Sequence, residues 1–449
     1  MHQRQPFITT YYEPDSMSGS FGARTALAVV VANMIGTGVF TSLGYQVGDI
    51  QSGFAIMALW ALGGLTALCG ALCYAELGAA IPRSGGEYHF LSHIYHPGAG
   101  FVSGWVSATV GFAAPVALVA MTFSAYLKTV VPELPATATA CALIALLALG
   151  HMRSHEASGA VQYIFTVIKI GLIAIFCAAT FVLVPEGQPV RFTPNASDWS
   201  IIGSAGFAVA LIYVNYAYTG WNSATYIIGE LDNPQRTLPR VLITATLLVT
   251  VSYVLLNASF LYAAPMAAME GKIEIGYIAG EYVFGANGAR IMAVALSLLL
   301  VSTVSAMTLA GPRVLQVIGQ DFPVMGFLAR ENAAGIPALA IAFQSLIAIV
   351  FVITATFESI LVFTGFVLGL NTLFAVLGTF IMRWREPDRP RPFKIPLYPL
   401  PPIIYSGVML WTLFHILRER PEEGWTGLLI VLVGAIAYGI STALSKRNA

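Results

Sequence analysis

Charge is what this sequence has least of: Asp, Glu, Lys and Arg make up 10% of its 449 residues, while 57% are hydrophobic. A soluble globular chain carries about a quarter charged residues, so this composition does not supply a water-facing surface. Acidic and basic residues balance at 22 each, and no basic block stands outside short loops, which excludes nucleic acid as a partner. Cysteine is scarce too. Cys69, Cys73, Cys141 and Cys177 all fall inside apolar runs, so they read as small buried hydrophobes and offer neither a disulfide framework nor a metal site. Polar stretches long enough for a soluble domain are missing, since the longest connections, near residues 185–199, 265–289 and 383–398, are too short to enclose a core. No cleavable leader is expected, because residues 1–22 are polar and the apolar run after Arg24 is too long for a signal-peptide core.

What is present in abundance is apolar sequence of membrane-spanning length. Runs bounded by charge, Pro or Gly lie near 24–46, 53–80, 100–127, 135–150, 158–184, 200–229, 240–264, 290–312, 336–354, 357–382, 399–417 and 425–444. At roughly 20 residues per crossing they predict an all-α polytopic membrane protein with 12 transmembrane helices in one transmembrane domain, residues 1–449. Of the 22 basic residues, 15 fall at the N-terminus and in every second loop, 6 fall in the other loops, and Lys169 lies inside a span. Lys and Arg at span ends are retained in the cytoplasm, so both termini are expected there. The Pro- and Arg-rich stretch from Arg383 to Pro402 reads as a stiff cytoplasmic connector without a site.

Two spans carry small and polar residues where a helix crosses the midplane. The first contains Asn33-Met34-Ile35-Gly36-Thr37-Gly38-Val39-Phe40, and the sixth contains Tyr216-Ala217-Tyr218-Thr219-Gly220-Trp221-Asn222. Glycine costs about 1 kcal/mol in a helix interior and exposes backbone that lipid does not hydrate, so such interruptions persist where they line a cavity. A lone Gly-x-Gly would ordinarily be a helix contact. The pairing argues otherwise, because the first and sixth spans hold equivalent places in two five-span halves, and paired broken helices point to a transporter binding site. A break frees N–H groups at the start of the second half-helix and C=O groups at the end of the first. That suits a zwitterion, with a carboxylate on the amides of Gly36, Thr37 and Gly38 and an ammonium on carbonyls of Met34, Ile35, Tyr216, Ala217 and Thr219. Asn222 closes the same break and joins the candidate substrate-binding set.

The segment Tyr74-Ala75-Glu76-Leu77-Gly78-Ala79-Ala80-Ile81-Pro82-Arg83-Ser84-Gly85-Gly86-Glu87-Tyr88 resembles the loop after the second span in the amino acid-polyamine-organocation (APC) superfamily. Together with Ile35 to Phe40, Gly229 to Arg240 and Arg391-Pro392-Phe393-Lys394, it makes the chain similar to an L-amino-acid transporter-like permease over nearly its whole length. The resemblance implies a LeuT-type fold of 5+5 inverted repeats, here residues 24–184 and 200–382, followed by two extra helices at 399–444. It also implies that the first and sixth spans bind the substrate's backbone and that the aromatic Tyr216 closes over it as an outer gate. The family favours Phe at that position, and Tyr adds a hydroxyl.

Lys169 is the only basic side chain near the centre of a span. A charge there costs at least about 2.5 kcal/mol and requires a partner or a deprotonated state. Roughly ten apolar residues on either side keep the stem from snorkelling to an interface. In related permeases a lysine at this place fills the position of a sodium ion and reaches the unwound first span and the eighth. Ser302 and Ser305 are the polar candidates there. Glu76, Glu230 and Arg236 near span ends read as interfacial or loop ion pairs, and Asn371 as a pocket or cross-helix residue. No carboxylate or thiol with matching spacing joins His89, His93 and His96, so no metal and no cofactor is expected.

These features predict alternating-access transport of a neutral L-amino acid, because no Asp or Glu sits at midspan in the pocket helices to balance a cationic side chain. Sodium-independent exchange is favoured, with proton symport as the alternative. A cationic amino acid or polyamine permease and a substrate-sensing receptor stand further off, and no nucleophile, base and orienter near the break marks an enzyme. The expected partners are a small-molecule amino acid and the lipid bilayer. A disulfide-linked heavy chain, which animal relatives attach through a cysteine between the third and fourth spans, is not expected, since Lys128 to Leu134 has none.

Overall fold

Every apolar segment named above folds as helix in the computed structural model of the protein, which describes residues 22–153 and 159–447. Arg4 and the expected start of the fifth span at Ser158 lie outside the described residues. Among the described residues, nine helices are long and apolar enough to cross a membrane, and ten if the pair Ala196–Ile202 and Ala205–Glu230, bent by 67°, counts as one span. The fourth and ninth segments form shorter apolar helices, Ala136–His151 and Ala338–Thr354. Helices satisfy their own backbone, which is the condition for an isolated segment to sit in hydrocarbon. Large apolar side chains point outward in numbers that water would not tolerate, including Val182, Ile291, Leu298, Leu346 and Ile353. The chain is an all-α, multi-pass membrane protein.

The helices sort into two packed groups. Spans two (Gly53–Ala80) and seven (Pro234–Ala263) pack along each other, span seven packs on both halves of span one, Ala23–Met34 and Gly38–Gln46, and span six packs on span two and on the second of those halves. Span three (Pro97–Val130) packs on span four, span nine and the long helix of span eight (Ile275–Asp321). Span five (Gly159–Leu183) touches spans one, seven and eight, and so stands between the groups. Span ten (Phe357–Arg385) packs on spans two, three and six, and span eleven (Leu400–Glu419) and span twelve (Pro421–Arg447) pack against it.

Three connections hold more structure than the sequence suggested. The 265–289 stretch contains helix Met266–Met269 and the first turns of the 47-residue helix Ile275–Asp321, whose axis breaks at Gly285, φ 71°. Glu281, Gly285, Gly288 and Arg290 interrupt the apolar run there, which is why the eighth span reads as starting only at 290. The loop after span two contains a helix, Glu87–Ile94, that starts from Gly86 at φ 55°. A side chain at Gly86 would meet the Tyr226 ring as well as the left-handed backbone.

The Arg-rich connector is not a free spacer. The fully buried Glu76 carboxylate accepts from Arg383 at 2.8 and 2.6 Å and from the Ile395 amide at 2.8 Å, and Arg391 lies at 3.6 Å. Arg385 donates to the Ile94 carbonyl and Arg389 to that of Ala80, while Arg383 stacks 3.7 Å above the Tyr398 ring. The connector is thereby pinned across the ends of spans two and ten. Glu230 and Arg236 form no ion pair among the described residues. Removing the shared acceptor leaves two half-buried guanidinium groups without their carboxylate, so Glu76→Ala should destabilise the fold by about 3 kcal/mol, read as a lowered melting temperature. An unchanged melting temperature would mean that the connector is held by other contacts.

Candidate functional site

Helix Ala23–Met34 is capped at Ile35, and helix Gly38–Gln46 begins three residues later. Helix Ala205–Tyr218 ends at Thr219, where the backbone turns extended (ψ 152°), and a 3-10 helix resumes at Ser223 after Gly220 at φ 96°. The breaks face each other. A Cβ on Gly38 would come within 2.5 Å of the Ala217 Cα, and one on Gly220 within 2.8 Å of the Asn33 carbonyl carbon. Glycine at both positions therefore permits close backbone approach between the two spans. Gly36 is different, with nothing within 4 Å of its would-be Cβ.

The freed backbone groups divide into used and unused. Gly36 N–H turns back to the Met34 carbonyl at 2.8 Å, whereas the amides of Thr37 and Gly38 take no partner among the described residues. Four of the five candidate carbonyls already hold a donor. The Tyr253 hydroxyl, from span seven, lies 2.5 Å from Met34 O and 3.1 Å from Ala217 O, so its one proton serves the two breaks alternately. Tyr216 O accepts from the Thr219 hydroxyl at 2.7 Å and amide at 2.9 Å. Ile35 O accepts from Lys169 at 3.2 Å. Only Thr219 O has no internal donor among the described residues. Tyr216 is buried in the same span, and its hydroxyl takes no hydrogen bond among the described residues.

Lys169 is 5% exposed, and its ammonium donates to Ile35 O at 3.2 Å and to Thr303 Oγ1 at 2.8 Å. Thr303 in turn donates to Leu299 O, which leaves its lone pair free for the lysine. The expected partners in the eighth span were Ser302 and Ser305, and this is corrected. Ser305 faces span four and meets His151 Nε2 at 2.8 Å, and Ser302 is not bonded to Lys169. The residues differ only in helical phase, and a helix buried on most sides gives no hydrophobic stripe from which to read it. A small cavity beside the break is lined by Ile35, Gly36, Phe40, Tyr126, Lys169 and Thr303 with Leu296, Leu299 and Leu300.

Asn222 points away from the amides of span one. Its side-chain amide donates to the Glu87 carboxylate, which the loop helix carries into the protein. Neither Tyr253, Thr303 nor Glu87 stands out in the sequence, since each becomes functional only through a neighbour distant along the chain. The histidines are employed separately: His93 meets Glu386 at 3.1 Å, and His96 Nδ1 caps Gly98 N at 3.0 Å. Burial, with Arg83 next, pushes His89 down to about 3. Among the described residues no cluster of His, Cys, Asp or Glu is placed to hold a metal.

The two broken helices thus face each other inside a multi-pass membrane protein, each tied by donors from other spans. The chain belongs to the amino acid permease family, whose profile matches residues 21–438. It is 28% identical to the b(0,+)-type amino acid transporter 1 of Mus musculus over 438 residues, 96% of this chain and 89% of that one. It is 29% identical to the large neutral amino acids transporter small subunit 2 of Oryctolagus cuniculus (94% and 80% covered) and 27% identical to the Asc-type amino acid transporter 1 of Mus musculus (93% and 80%). The protein is thus an amino acid transporter of the cell membrane and not an enzyme.

The two glycines of span one should respond differently. Gly38→Ala forces backbone apart at Ala217 and should cost about 1–3 kcal/mol of stability, whereas Gly36→Ala should melt like the parent. Thermal unfolding of both variants checks this, and equal melting temperatures would contradict the close approach at Gly38.

Proposed function

We propose that the protein exchanges neutral L-amino acids across the membrane by alternating access, independently of sodium. The observation that carries this reading is the Lys169 ammonium, which joins the broken first span to the eighth through Ile35 O and Thr303 Oγ1. A cation supplied by the protein at that place removes the need for a bound metal cation to join the same elements. The substrate's carboxylate would sit on the amides of Thr37 and Gly38, at the positive end of helix Gly38–Gln46, with the open space around Gly36 admitting it. Its ammonium would meet Thr219 O and exchange places with internal donors on Met34, Ile35, Tyr216 and Ala217. Tyr216 would close over the occupied site from outside.

Neutral substrates are favoured because Glu87, a carboxylate at the end of the span-six break, already accepts from three protein donors. In this reading the halves are residues 24–184 and 200–382, with 399–444 appended, and both termini are cytoplasmic, as the alternation of basic loops supports. Lys128 to Leu134 offers no cysteine to a heavy chain, so the transporter works without a disulfide-linked partner. Proton symport is the second reading. What favours it is that both acceptors of Lys169 are uncharged, so no carboxylate fixes its proton.

Uptake of labelled alanine, leucine and arginine into proteoliposomes tests both readings. Exchange requires internal amino acid, responds to neither a sodium nor a proton gradient, prefers alanine or leucine to arginine, and should fall about tenfold in Lys169→Ala, equivalent to about 1.4 kcal/mol of coupling. Accumulation in empty vesicles driven by an inward proton gradient, and lost in Lys169→Ala, would replace exchange by symport, and sodium-driven accumulation would remove both. For the gate, Tyr216→Phe should transport nearly as the parent, while Tyr216→Ala should lose turnover more than binding, because occlusion needs the ring. Equal losses in the two variants would assign the hydroxyl a substrate contact instead.

A further inference from the structure

Glu87 is a buried acid that the carrier site does not use. It opens the loop helix Glu87–Ile94, is 2% exposed, and has no ion pair among the described residues. Three neutral donors converge on it. Oε1 accepts from the Tyr74 hydroxyl of span two at 3.0 Å and from the Asn222 amide at the end of the span-six break, and Oε2 accepts from the Tyr226 hydroxyl at 2.8 Å. Asn222 also donates to the Tyr226 oxygen at 3.2 Å, and the Trp221 ring stands edge-on to Tyr74 with centroids 4.7 Å apart. Burying a carboxylate without a cation is costly, and charge-assisted hydrogen bonds from several donors are what offset it. Each donor lost raises the cost of keeping the carboxylate buried.

The next residue reaches the other way. Tyr88 donates to Asp321 at the end of span eight, and Arg83 lies 3.5 Å from the same carboxylate. Consecutive side chains of one short helix therefore hold spans two and six on one side and span eight on the other, at a single end of the bundle. The lysine tie at the break joins span one to span eight at midspan, so the two groups of helices are fastened at two depths. Alternating access needs them to separate at each end in turn. At the end that carries the loop helix, the 3-10 segment Ser223–Glu230 must leave Glu87 for the site to open.

We propose that Glu87 is a positioning residue, the latch that keeps the gate shut at this end by holding Asn222 and Tyr226 against the loop helix. The proposal rests on the alternating-access reading, but its test needs neither substrate nor gradient. Ser223 supplies the reporter: it follows Asn222, is 7% exposed, and its hydroxyl has no partner among the described residues. Maleimide labelling of Ser223→Cys in purified protein in lipid nanodiscs, with the parent and its four native cysteines as background, measures how often this end opens. Glu87→Gln puts an amide NH2 where an acceptor is required and should speed labelling about tenfold, the population shift expected from losing a charge-assisted hydrogen bond. Tyr226→Phe removes one donor, keeps the ring, and should act in the same direction to a smaller extent. In both variants the affinity for a neutral amino acid should stay within about twofold of the parent while exchange slows. Labelling at the parent rate in Tyr226→Phe and in folded Glu87→Gln overturns the latch, and a loss of substrate affinity at unchanged labelling makes Glu87 a ligand instead. Should Glu87→Gln fail to fold, Tyr226→Phe decides alone. A proton-coupled transporter would show the same labelling, so failure of exchange and failure of the latch are separate results.

Discussion

Lipid offers no hydrogen bonds, and most of this structure follows from what that does to two interrupted helices. Each break releases amides and carbonyls inside an apolar helix bundle, where a buried unsatisfied group costs several kcal/mol. The protein meets the demand with side chains from elsewhere: Lys169 from span five on Ile35, Tyr253 from span seven on Met34 and Ala217, and Thr219 folding back on Tyr216. What those donors leave open, the amides of Thr37 and Gly38 and the carbonyl of Thr219, is then available to a ligand with both charges.

The same economy explains the buried charges. Lys169, Glu76 and Glu87 are each below a tenth exposed, and each is held by a different solution. Lysine uses a freed carbonyl and a threonine whose own proton is directed elsewhere. Glu76 takes two arginines and a backbone amide, a set that fixes the connector to span two. Glu87 takes only neutral donors from parts of the chain that belong to different helices. An arginine pair is the more durable of these, and a cage of hydroxyls and an amide the more easily exchanged. The arginine set holds the connector, and the neutral cage holds the end of the span-six break.

Glycine has two uses in the breaks, and the chain separates them by two residues. Gly38 and Gly220 exist so that backbones approach, and a methyl group at either would strike a neighbour's main chain. Gly36 faces open space, so the absent side chain there leaves room rather than permitting a contact. A sequence reader sees one Gly-x-Gly and assigns one reason to both.

Composition and pattern determined the class of this protein, because a chain so apolar and so regularly interrupted has no stable form outside a bilayer, and in a bilayer only helices satisfy their backbone. They also located the breaks and singled out Lys169, since small polar residues and a lone cation at midspan are conspicuous against hydrocarbon. The partners that hold the breaks were decided by tertiary structure. Thr303 rather than Ser302 or Ser305 receives the lysine because of helix rotation, which an all-round apolar helix does not record in its sequence. Tyr253 is one aromatic among many until span seven sets it between the two breaks. Glu87 lies in a loop by any reading of the sequence, and it becomes a buried acid only because a left-handed glycine starts a short helix that turns it inward. Partners more than a hundred residues apart meet through packing, and packing is a property of the whole chain that no local window contains.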